Sequence, residues 1–170
     1  MAMVSGDSLE WEQRLADLWA SLDEHSEEAF LTRIEQFVTG LPADSAVALF
    51  ERAAALDSTG NSDLAVPLYR QALDIGLQAE RRRRAVIQLA SSLRNIGRAH
   101  ESVALLTAER EVESDDLDDA VSGFLAVVLV DTGREREAIS VALTALSRHL
   151  IRYRRSLANY AQEISDYHPG

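Results

Sequence analysis

The sequence predicts an all-α chain, a right-handed solenoid of helical hairpins closed by a capping helix. Three observations carry this. Apolar residues recur at three- and four-residue spacing with almost no alternating stretch, Gly and Pro are sparse, and Gly60, Gly97 and Gly133 stand 37 and 36 residues apart, each between two amphipathic segments. A regular period of that size marks stacked repeats, because one helical hairpin cannot bury its own apolar face and must lean on the next.

The first helix spans Ser8–Leu22, where Leu9, Leu15, Leu18, Trp19 and Leu22 form an apolar stripe. Ser26–Val38 follows, with Ser26 as N-cap, Glu27 and Glu28 in the first turn, and Gly40 and Pro42 as the stop. Ala43–Ser58, Glu80–Ile96 and Asp115–Asp131 are the first helices of three hairpins, and each of their closing glycines can take the left-handed conformation that such a turn needs. Pro67, a few residues into its helix, costs one hydrogen bond or bends the first turn. Ile151–Ile164 places Tyr153, Leu157, Tyr160, Ala161 and Ile164 on one face, as a cap over the last hairpin requires. The expected organisation is therefore an N-terminal helix pair over residues 1–42, three hairpins over 43–150, and a capping helix and tail over 151–170.

Composition excludes several functions. The 170 residues are 46% hydrophobic and 26% charged, as in ordinary globular chains. With no cysteine there is no disulfide, thiol nucleophile or cysteine zinc site, and His25, His100, His149 and His168 have no partner at metal-ligand or catalytic spacing. Neither catalytic residues nor cofactors are expected. No apolar run reaches the ~20 residues of a membrane span, and the N-terminus lacks the basic-then-apolar order of a secretory signal, so the expected location is the cytoplasm. A net charge of −11 disfavours nucleic acid as a partner. All 17 basic residues are Arg, a bias that points to a high-GC bacterial source.

The placement of small and aromatic residues resembles the tetratricopeptide repeat, a helix–turn–helix unit of about 34 residues. In the first unit Leu49, Ala53 and Leu56 precede Gly60, and Ala65, Tyr69 and Ala72 follow at the small, aromatic and small positions. In the second, Val86, Leu89, Ala90 and Leu93 precede Gly97, and Ser102 and Leu106 follow, with Glu109 in place of the second small residue. In the third, Leu125, Ala126 and Leu129 precede Gly133, and Ala138 and Ala145 follow, with Ser122 and Ala142 replacing the large opening residue and the aromatic. The terminal Pro is absent from all three, and the N-terminal pair resembles a fourth, eroded unit closed by Pro42. The string IQLASSLRNIGR is similar to a small bacterial, actinobacterial-like group of these proteins.

The resemblance implies a non-enzymatic module that binds a peptide or protein segment in a concave groove lined by the first helix of each repeat. On Glu80–Ile96, the stripe through Arg84, Ile87 or Gln88, Ser91 and Arg94 or Asn95 should face that groove, with Val47, Phe50, Ala54, Val127 and Val130 as apolar walls. The same stripe also fits a solvated helix face, the ordinary lot of an amphipathic helix. Gly123, costly inside a helix, lies on the groove side, where it would admit a second backbone: a bound peptide or the chain's own C-terminal helix. Arg81–Arg84 oppose the helix dipole, so acidic neighbours (Glu111, Glu113, Asp115, Asp116, Asp118, Asp119) or an acidic ligand should compensate them. Trp11 and Trp19 share a face and suit core packing or a homodimer contact, which leaves self-association through helical surfaces as the alternative function.

Overall fold

A computed structural model describes residues 5–42, 44–112 and 115–166. Ala43, Glu113 and His168 lie outside them. The described residues form nine α-helices and no strand: α1 Ser5–Ala20, α2 Glu27–Val38, α3 Ala46–Ser58, α4 Ser62–Ile75, α5 Ala79–Asn95, α6 Ala99–Arg110, α7 Asp118–Asp131, α8 Glu135–His149 and α9 Arg154–Asp166. A short 3-10 turn at Leu22–Glu24 ends the first helical segment earlier than its apolar stripe suggests.

The ends follow local chemistry. The Ala29 N–H donates to Ser26 Oγ and the Ala48 N–H to Ser45 Oγ, both at 3.3 Å, so each hydroxyl satisfies an orphan donor of the first turn. The three repeat glycines have φ between +74° and +88°. At each, the residue after Gly donates five residues back, Asn61 to Leu56, Arg98 to Leu93 and Arg134 to Leu129, at 2.8–2.9 Å. This is the same C-terminal motif built three times. Gly76, at φ +110°, ends α4 in a similar left-handed conformation. Pro67 is accommodated within α4, which runs on to Ile75.

Two compact units divide between Ile75 and Gly76. In the first, α1 packs on α2, α2 on α3 and α3 on α4. Its core joins Leu15, Phe30, Ile34 and Ala55, with Trp11, Leu18, Trp19 and Phe37 against them. Both tryptophans are spent inside this unit: Trp11 meets Phe37 and Trp19 meets Phe30, each at 5.2 Å between ring centroids, and the Trp19 indole N–H donates to buried Glu51 at 2.9 Å. Arg52 forks onto Glu35 at 2.7 and 2.8 Å, and that hydrogen bonding holds the Glu35 carboxyl below its ordinary range. Its folded pKa being the lower one, this exposed pair's small contribution is present above the ordinary carboxylate range and lost as pH falls through the folded pKa.

In the second unit each helix packs on the next from α5 to α9, and α5 also touches α7. Ile87, Ala90, Val103, Leu106, Val121, Leu125, Ala126, Val128 and Leu129 make one core. Ala90 is fully buried, and its carbonyl accepts from Ser102 Oγ at 2.7 Å, so the small residues at these two repeat positions bring α5 and α6 together. Ala90→Leu is expected to overpack that contact and cost about 1–3 kcal/mol, read as a lower urea midpoint at unchanged slope. An unaltered midpoint would contradict close helix approach here. α9 covers α8 through Leu157, Ala161 and Ile164 rather than through its tyrosines. Tyr153 precedes the helix, which starts three residues later than its apolar pattern suggests, and both Tyr153 and Tyr160 are exposed.

Candidate functional site

The basic run at the start of α5 is neutralised from within. Arg82 forks onto Glu109 at 2.7 and 2.9 Å. Arg83, only 3% exposed, places Nη2 2.7 Å from Asp118 and Nε 3.3 Å from Asp115 and 3.7 Å from Glu109. Acidic neighbours thus supply the compensation, with Asp115 and Asp118 among those expected. Asp119 instead holds Arg148 at 3.0 Å and His149 at 2.7 Å. Glu109 explains its own departure from the repeat pattern: a small residue there could not reach Arg82 and Arg83, and Glu109 is 2% exposed in doing so.

At the other end of α5, Arg94 pairs with Asp131 of α7. The two clips, Arg83 to Asp118 and Arg94 to Asp131, span 35 and 37 residues, which matches the spacing of the repeat glycines. They hold α5 and α7 alongside each other in register.

Between the clips, α5 presents Arg84, Gln88 and Ser91, all half-buried, and Asn95, exposed. α7 presents Gly123, Phe124, Val127 and Val130, the last three 40%, 47% and 51% exposed. One wall is polar and the other apolar. Three expected members of the site are placed elsewhere. Ile87 belongs to the core of this unit, because the α5 positions flanking the polar stripe are both taken by packing. Phe50 is fully buried in the first unit, 6.2 Å from the Tyr69 ring, and Ala54 is buried there too. Arg94 reaches the surface, but its guanidinium is engaged by Asp131.

Phe124 was not among the expected residues. The segment VSGFLAVVLV is apolar almost all round, so periodicity alone does not say which side chains face out; its three-residue step to Val127 is the only local cue. A Cβ added at Gly123 would meet nothing within 4 Å. α9 packs on α8, so the chain's own last helix is not the backbone that Gly123 would admit. Gly123→Ala is accordingly expected to stabilise α7 by about 0.5–1 kcal/mol in thermal melts, since it adds a better helix former in open space. A loss of stability would mean a contact at Gly123 that this packing does not contain.

Among the described residues no three His, Asp or Glu side chains are grouped to hold a metal, and no helix is long and apolar enough to cross a membrane.

A family model described as Tetratrico peptide repeat matches residues 46–164, well over half of the chain. No curated protein and no solved structure matches.

Proposed function

As the chain belongs to the tetratricopeptide repeat family, whose repeats generally mediate protein–protein interaction, we propose that it is a non-enzymatic module that docks a peptide segment of a protein partner on the α5–α7 face. The observation that carries this reading is the apolar stripe Phe124, Val127 and Val130 of α7 left in solvent while α5, which touches α7, presents a polar stripe. An exposed apolar row rimmed by hydrogen-bonding groups is the usual make-up of a recognition surface. The occupant it suits is a segment with apolar side chains for α7 and a carboxylate or backbone amides for Arg84, Gln88, Ser91 and Asn95, since a guanidinium fork and side-chain amides serve those groups well. Nucleic acid suits it poorly in a chain of net charge −11.

The test is selection of phage-displayed random 12-residue peptides against the chain, followed by titration of the synthetic winners. The expected winners combine two or more apolar residues with an acidic one, and lose binding to Phe124→Asp/Val127→Asp. Failure to select any peptide, or winners indifferent to that double variant, would sink the reading.

A further inference from the structure

The turn between α8 and α9 concentrates features that an isolated chain does not favour. Ile151 and Tyr153 are 101% and 78% exposed, the highest values among the exposed large hydrophobic residues. Tyr153 adopts φ +66°, the only left-handed non-glycine residue described, a strained conformation for a bulky side chain. Around it Arg152, Arg154 and Arg155 make no ion pair or hydrogen bond among the described residues, whereas Arg52, Arg82, Arg83, Arg94, Arg98, Arg134 and Arg148 all hold carboxylates. Two of these three cations also stand in the first turn of α9, against its dipole. A turn of exposed Ile, Tyr and unspent Arg has the composition of a binding hot spot, and its charge calls for an acidic partner.

The same chain carries that complement. The 3-10 turn and the start of α2 expose Asp23, Glu24, Glu27 and Glu28, and none of the four is in an ion pair among the described residues; Glu27 accepts a hydrogen bond from Asn61 at 2.7 Å. We propose that the basic Ile151–Arg155 turn of one copy docks on the acidic Asp23–Glu28 turn of a second copy, so that chains associate head to tail. Such a contact is heterologous: each copy keeps one turn of each sign open, and association continues into rings or short chains rather than stopping at a symmetric dimer. Two small turns bury little area, which makes the association weak and reversible. Near 0.1 M salt the Debye length is ~10 Å, so adjoining charges still attract while the long-range repulsion of two chains of net charge −11 is largely screened.

Charge reversal tests this without relying on salt. In sedimentation velocity at 0.1 M salt, the weight-average mass of the wild type should rise with concentration beyond that of a dimer. Arg152→Glu/Arg154→Glu/Arg155→Glu and Asp23→Arg/Glu24→Arg should each weaken association by at least ~10-fold, since like charges then face each other. Mixing the two variants, or combining all five changes in one chain, should restore it. Circular dichroism on every variant guards against unfolding, and restoration in the five-fold variant cannot come from a misfolded chain. A wild type that stays monomeric up to millimolar concentration, reversals that leave association unchanged, or reversed partners that fail to recombine would each overturn the proposal. So would a monomeric wild type whose basic turn instead binds phosphatidylglycerol vesicles.

Discussion

Arg83→Met should lower the stability of the second unit by about 3–5 kcal/mol, the usual cost of breaking a buried ion pair from one side. The guanidinium is almost completely enclosed, and its removal takes away the cation that lies between Glu109, Asp115 and Asp118. For a separately melting unit the size of Gly76–Gly170 the loss corresponds to a melting temperature lower by roughly 12–40 °C. Differential scanning calorimetry resolves it, and because two compact units need not melt together, the depressed transition should be that of α5–α9 alone. A shift under ~2 °C would mean that Arg83 is not what holds α5 to α7.

Phe124→Asp/Val127→Asp should abolish peptide docking, with affinity falling by ~30-fold or more, as hot-spot losses of at least about 2 kcal/mol imply. Both side chains are 40–47% exposed, so the double change removes recognition surface and little core, and the melting temperature should stay within a few degrees of the wild type. Gly123→Ala sharpens the measurement: it should raise stability while weakening any ligand whose backbone approaches α7 there. Stability and binding then move in opposite directions, which a merely structural role for this face does not produce. Unchanged titration curves for all three substitutions would place docking elsewhere.

The helices, their glycine turns and the repeat were legible because each is written in local chemistry. Gly60, Gly97 and Gly133 terminate helices by a motif closed within seven residues, and Ser26 and Ser45 cap theirs within three. The proposed docking face was only half legible. Arg84, Gln88, Ser91 and Asn95 are polar on an amphipathic helix, so periodicity separates them from the core, whereas Ile87 and Phe124 sit on helices where apolar residues occupy more than one face. Which of those is covered depends on what packs against it.

By itself the sequence determined an all-α chain of tetratricopeptide-like hairpins, because turns, caps and apolar period are interactions between residues near in the chain. Only the tertiary structure decided where long-range partners fall: Glu109 under Arg82 and Arg83, Asp131 on Arg94, Glu51 on Trp19. It also decided which apolar residues of α7 remain in solvent and which cations of the α8–α9 turn find no carboxylate among the described residues. Burial and charge pairing are settled by whichever helix stacks alongside, and a residue's own neighbours in sequence carry no record of it.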